Sequence, residues 1–152
     1  MILHISSERF IMTKLLTKEE KTNLQVTKNF NIGEMEYYDK VPTHLLDNAK
    51  EVLTNLQVLR DACGKSITIM SGYRSPERNE AVGGATKSQH MEGNACDIKV
   101  KDMDPEDVAK LIEKLIAEKK MKQGGLGIYP RDTIATGWCH YDTRGVKARW
   151  RG

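Results

Sequence analysis

Residues 88–98 read SQHMEGNACDI, a polar stretch that runs without a break into the strand-like ACDIKV of residues 95–100. Seven positions separate His90 from Asp97. On one continuous helix that gap would set the two Cα atoms about 10 Å apart, too far for both side chains to close on one short-bonded centre. If the two act together, the chain must turn between them. Gly93 and Asn94 are residue types that permit such a turn, after which Asp97 can point back from the strand towards His90. The stretch therefore demands a turn and a strand, and the rest of the chain must supply the sheet which that strand joins.

The neighbouring sequence supplies it. From His44 to about Ala62, Leu45, Ala49, Val52, Leu53, Leu56 and Leu59 recur at three- and four-residue steps, one apolar stripe on a helix that Pro42-Thr43 can begin and Gly64 can end. SITIM at 66–70 alternates and is rich in β-branched residues, as a strand does. Ser75-Pro76 is an N-cap followed by proline at the first helical position, and Gly83-Gly84 stops that short helix. Asp104-Pro105 opens a helix with Val108, Leu111, Ile112, Leu115 and Ile116 on one face. GLGIY at 125–129 and GWCHYDT at 137–143 read as two further strands joined around Pro130-Arg131-Asp132. The order predicts an α+β fold, a small and mostly antiparallel sheet with flanking helices.

At 152 residues the chain suits one core. With a mean hydropathy of −0.55 it has no apolar run long enough for a membrane span, so no membrane insertion is expected. A net charge of +3, with cations dispersed among 21 acidic residues, argues against a nucleic-acid partner. The N-terminal MILHISSERFIMTKLLTKEEK has no continuous apolar core or small-residue cleavage site of a signal peptide, so synthesis in the cytoplasm is expected. Cys63, Cys96 and Cys139 are odd in number and lack C-x-x-C spacing, which indicates reduced thiols.

A site built on His90 and Asp97 needs a third partner. His4 and His44 lie in a poorly patterned segment and at a helix start, whereas His140 lies in a strand-like run with polar neighbours on its face, which makes it the best candidate. Two histidines and a carboxylate form a recurrent open zinc set with a fourth position left for water. Cys96 and Cys139 each directly precede a candidate ligand; strand alternation sends the thiols to the core face and makes thiolate ligation the weaker alternative. A lone His or Asp is more often a satisfied structural residue than a ligand, so spacing alone leaves both readings open.

The longer pattern carries more. SGYRSPERNEAVGGATKSQHMEGNACDI, followed by GLGIYP and CHYDTRG, is similar to the zinc D-alanyl-D-alanine carboxypeptidase family, which also holds L-alanyl-D-glutamate endopeptidases of phage lysins and D-alanyl-D-alanine dipeptidases. The motif S-x-H-x-x-G-x-A-x-D is matched by Ser88, His90, Gly93, Ala95 and Asp97, and the late histidine by His140. The resemblance runs from about Asn29 to Trp150 and includes NFNIGEM. It implies a hedgehog/DD-peptidase-like fold, Zn²⁺ held by His90, Asp97 and His140, and Arg74 of SGYR as an anchor for a substrate carboxylate or carbonyl, a task suited to a guanidinium fork. Ser88 and Gln89 are then candidates to bind substrate or orient His90, and Trp138 to wall the site.

One position departs from the pattern. Many members carry Glu or Asp three residues before the last histidine as general base, and this chain has Gly137 there. Asp142, two residues beyond His140 and so on its strand face, is the candidate replacement, with an ion pair to Arg144 as the equal alternative and Glu92 as a third option. The leading expectation is a zinc metallopeptidase that cuts bonds next to D-amino acids in peptidoglycan stem peptides, acting as a monomer and reaching the cell wall through a holin-type pore or another export route. The rival is a zinc-containing binding or structural module of the same fold that has lost hydrolysis. The domain division expected is an N-terminal extension over 1–28 and a peptidase domain over 29–152.

Overall fold

A computed structural model describes residues 24–152. Of the extension expected over 1–28, residues 1–23, His4 among them, lie outside the described residues. Residues 24–31 lie against the domain: Leu24 O accepts from Ile32 N, and Gln25 bridges Asn31.

Helix α1 spans Leu46–Cys63 after a 3-10 turn at Thr43–Leu45, and buries Ala49, Val52, Leu53, Leu56 and Leu59 as the apolar stripe requires. It stops where Gly64 adopts φ +65°, a left-handed conformation that costs glycine nothing. Strand β1 is Ile67–Ser71. The short helix α2, Pro76–Ala81, is capped by Ser75 Oγ, which accepts from Arg78 N at 3.2 Å. Strand β2 is Ala95–Val100, and helix α3 is Pro105–Ala117, capped by Asp104 Oδ1 on Glu106 N at 2.8 Å. Strands β3 (Gly125–Tyr129), β4 (Trp138–Asp142) and β5 (Ala148–Arg151) complete the α+β fold.

The sheet order is β1-β2-β4-β3-β5. Every pairing is antiparallel except β3 with β5, which is parallel. That fifth strand has no counterpart in the sequence reading: ARWR alternates apolar and charged residues, but over only four positions, the shortest run that can signal a strand. Alternation elsewhere divides the sheet into two faces. Cys96, Ile98 and Val100 of β2, Leu126 of β3, and Cys139 and Tyr141 of β4 join the residues of α1 and α3 in one core. Both strand cysteines are buried there as free thiols. Burial pushes the Cys139 thiol up to about 12 and raises that of Cys96 well above its usual value, so both stay protonated. The opposite face carries Asp97, His140, Asp142 and the glycines of β3.

Gly127 shows what that face requires. A Cβ on it would fall 2.3 Å from Trp150 Nε1, because the Trp150 ring of β5 crosses directly over this residue. Replacing Gly127 by Ala should displace the ring and lower the unfolding free energy in urea by about 1–3 kcal/mol, the cost of overpacking a filled site. An unchanged midpoint would show that the ring is not fixed there.

Candidate metal centre

The sheet register places Ser71, Asp97, His140, Gly127 and Trp150 opposite one another across all five strands. Cross-strand partners share a face, so these residues form one line over the side of the sheet away from the core. Asp97 and His140 are direct partners, with Oδ1 3.3 Å from Nδ1. His90 comes from outside the sheet, on a 3-10 turn at Gln89–Glu92 whose N-cap is Ser88 and whose exit is Gly93 at φ +74°. The reversal expected between His90 and Asp97 is made by that left-handed glycine, and it brings His90 Nε2 to 3.4 Å from Asp97 Oδ1.

Each imidazole is oriented by the nitrogen that faces away from Asp97. His90 Nδ1 lies 2.6 Å from Gly72 O, and because a carbonyl can only accept, this nitrogen carries the hydrogen. His90 Nε2 is left buried without a hydrogen-bond partner. His140 Nε2 lies 2.6 Å from Asp142 Oδ2. Asp142 is fully buried, and its carboxylate also accepts from Gly125 N at 2.9 Å and from Arg144 Nε and Nη2 at 2.9 and 2.7 Å. Gly125 permits this approach, since a Cβ there would fall 2.2 Å from Asp142 Oδ2.

These contacts set the charges. Burial works to raise the Asp97 carboxyl, but the flanking His140 and His90 overcome it and hold it well below the usual carboxylate range. Asp142 is held low in the same way: burial opposes, while His140, Arg144 and Gly125 N prevail. Burial would depress His140, yet the carboxylates of Asp142 and Asp97 on its two nitrogens raise it above its ordinary value. Without a metal the ring is stabilised as a cation.

One ligand atom from each of His90, Asp97 and His140 falls within 4.8 Å of the others, a spacing that a single ion can span. The unpartnered His90 Nε2 aims into this triangle, and one carboxylate with two imidazoles is a donor set suited to a borderline divalent ion. The residues fit a metal.

The cluster opens on a cleft of about 420 Å³ lined by Arg74, Lys87, Ser88, Gln89, Tyr129, Arg144 and Trp150 among others. Arg74 is fixed by Ser71 Oγ at 3.3 Å, Asn79 Oδ1 at 3.1 Å and Asp97 Oδ2 at 3.6 Å. Ser88 Oγ caps the turn by accepting from His90 N, while Gln89 lines the cleft. Trp138, expected as a wall, stands one layer back: it stacks on Tyr129 with ring centroids 4.9 Å apart, and Tyr129 is the residue that lines the cleft. Asp142 stands behind His140 rather than on the open side, and Glu92 is exposed outside the lining. Gly137 faces α3, where a Cβ would fall 2.7 Å from Pro105 Cγ; a carboxylate side chain at that position has no room. Among the described residues Asp97 is the sole carboxylate lining the cleft.

Sequence reasoning missed Tyr129 and Trp150. Trp150 Nε1 donates to Tyr129 Oη at 2.7 Å, and its ring lies 4.8 Å from that of His140. The signal available was the aromatic in an otherwise charged tail, but the parallel pairing that carries it to the site is non-local.

Comparison with known proteins agrees with this arrangement. The family model described as Peptidase M15 matches residues 21–140, which include all three residues of the cluster. A 52-residue stretch is 46% identical to the zinc D-Ala-D-Ala carboxypeptidase of Streptomyces albus G, covering 34% of this chain and 20% of that protein's length.

Removing any one of His90, Asp97 and His140 by alanine substitution should abolish tight metal binding in equilibrium dialysis, whereas Cys96→Ser and Cys139→Ser should retain it. Retention in His140→Ala, or loss in either cysteine variant, would contradict the ligand set. The raised His140 pKa fixes the sign of a pH effect in the metal-free protein. Its stabilising charge is fully present below the unfolded value of about 6.5 and is lost as pH rises through the higher folded value. Below that folded value the metal must displace the proton, so calorimetry should detect proton release on binding and a falling affinity as pH drops. A pH-independent affinity from 5 to 8, roughly the window of a histidine titration, would contradict this.

Proposed function

The chain belongs to the Peptidase M15 family, and on that premise we propose that it is a zinc peptidase hydrolysing peptide bonds next to D-amino acids in peptidoglycan stem peptides, as a carboxypeptidase or an endopeptidase. The observation that carries this reading is the triangle of His90 Nε2, Asp97 Oδ1 and His140 Nδ1 beside a buttressed arginine at the foot of one cleft. Zinc held there supplies Lewis-acid polarisation of a carbonyl and acidification of a water.

The chain's own residues supply the rest. Arg74 spends its Nε and Nη1 on Ser71 and Asn79, which holds the guanidinium plane still while it faces the cleft, and it anchors a carboxylate or carbonyl of the peptide. Ser88 fixes the turn that carries His90. Asp142 is a positioning residue: it accepts from His140 Nε2, keeps Nδ1 turned to the cleft, and is itself saturated by Arg144 and Gly125. Serving as a base would oblige it to leave those bonds, which favours the ion-pair alternative for this residue.

A second reading, a zinc-containing cell-wall-binding or structural module, is favoured by the absence of any carboxylate but Asp97 from the lining among the described residues. Incubating the zinc-loaded protein with purified peptidoglycan and identifying the released ends by mass spectrometry separates the two. New termini beside a D-residue support hydrolysis; peptidoglycan that is bound but uncut supports the module.

Arg74→Lys keeps the charge and loses the fork, so turnover should fall at least roughly tenfold with zinc content and melting temperature near wild type. A variant of equal activity would remove Arg74 from substrate binding. Asp142→Asn should weaken zinc binding by about 10–100-fold, as loss of a ligand's supporting partner does. Full zinc affinity with turnover abolished would instead restore Asp142 as the base.

A further inference from the structure

Tyr129 is held from two sides, and one of its partners is held in turn by Arg131. Its ring stacks on Trp138 with planes 5° apart, the Arg131 guanidinium covers the Trp138 ring at 4.5 Å, and its oxygen accepts the indole N–H of Trp150 at 2.7 Å. Indole is a donor only, so this bond consumes a lone pair of the phenol and leaves the phenolic hydrogen uncommitted. No acceptor for that hydrogen is found among the described residues, although Tyr129 lines the cleft. The sheet order sets where it stands. Arg74 follows β1, the cluster spans β2 and β4, and Tyr129 ends β3, so the guanidinium and the phenol lie on opposite sides of the metal ligands. From β1 to β3 is three strand spacings, about 14 Å, the reach of several peptide residues.

We propose that the Tyr129 hydroxyl is a substrate contact, donating to a backbone carbonyl oxygen of the stem peptide on the amino-terminal side of the scissile bond, opposite the end anchored by Arg74. This rests on the peptidase reading for its substrate. Trp150 is the positioning residue: its N–H fixes the phenol oxygen so that the free hydrogen points into the cleft, and Gly127 makes the room for its ring. A rigid donor of this kind loses little freedom when the peptide arrives. The contact is remote from the reacting carbonyl, so it selects longer peptides and takes no part in bond cleavage.

The experiment compares a synthetic stem peptide with the same peptide shortened from its amino end, using wild type, Tyr129→Phe, Trp150→Phe and the double variant, all zinc-loaded. Tyr129→Phe keeps the ring and removes only the hydroxyl, whereas Trp150→Phe removes the indole N–H together with part of the ring, so its melting temperature and zinc content are measured alongside. For Tyr129→Phe, kcat/KM on the longer peptide should fall roughly tenfold, the scale of one hydrogen bond to a neutral group, through KM rather than kcat, with no change on the shortened peptide. Trp150→Phe should show a smaller loss, and the double variant should be no worse than Tyr129→Phe alone. Calorimetric binding of the longer peptide to metal-free protein should weaken by the same factor, a readout that does not depend on turnover. Equal losses on both peptides, unchanged constants in Tyr129→Phe, or multiplying losses in the double variant would overturn the proposal. If wild type cleaves neither peptide while binding of the longer one still depends on Tyr129, the peptidase reading fails and the contact stands. Should Tyr129→Phe misfold, as its melting temperature would reveal, the peptide-length dependence of Trp150→Phe decides.

Discussion

The pairing of Asp97 with His140 is the contact on which the other features of the site depend. Two strands distant in sequence, β2 and β4, must meet in one register for these residues to face each other, since a slip of β4 by one residue would turn His140 towards the core and bring Cys139 out beside Asp97. The register is held by the other face, where Cys96, Ile98, Cys139 and Tyr141 pack against α1 and α3. Apolar burial on one side of the sheet thus fixes the placement of the polar groups on the other. The arrangement is also electrostatically demanding, because a buried imidazole lies between two carboxylates, one of them tied to Arg144.

Around that pair, glycines act by leaving space. Gly93 turns the chain from His90 to Asp97, Gly125 admits the carboxylate of Asp142, and Gly127 admits the ring of Trp150. Gly72 does the same beneath the site, where a Cβ would fall 2.6 Å from the Met35 Cα, so that its carbonyl can reach His90 Nδ1. Gly137 is packed against Pro105 and has no space for an acid.

Much of this was legible in the sequence, and the division between what was and was not follows the range of the interactions. The α1 stripe, the Ser75 and Asp104 caps and the Gly64 stop are local and were read in place. His90, Asp97 and His140 were found by ligand chemistry and motif, and the opposing placement of Cys96 and Cys139 by strand alternation. Strand β5 is hard to read because its alternation spans only four residues and the strand it pairs with, β3, is not its neighbour in sequence. Without β5 nothing in the sequence sets Trp150 beside His140 or pairs it with Tyr129, so Trp138, on the His140 face of β4, is the aromatic that sequence offers for the wall that Tyr129 forms. Asp142 was placed on the correct face, but only its surroundings, Arg144 and Gly125 N, show that it lies behind the histidine.

The central claim is that a single zinc ion is bound by two imidazoles and one carboxylate on this face of the sheet, with the thiols left on the other. X-ray absorption spectroscopy at the zinc edge on the stoichiometrically loaded protein tests it most directly, because nitrogen and oxygen ligands scatter from about 2.0–2.2 Å and sulfur from about 2.3 Å. The account predicts a shell of nitrogen and oxygen only, with the outer scattering of two imidazole rings. A sulfur scatterer, or the signature of fewer than two imidazoles, would contradict it.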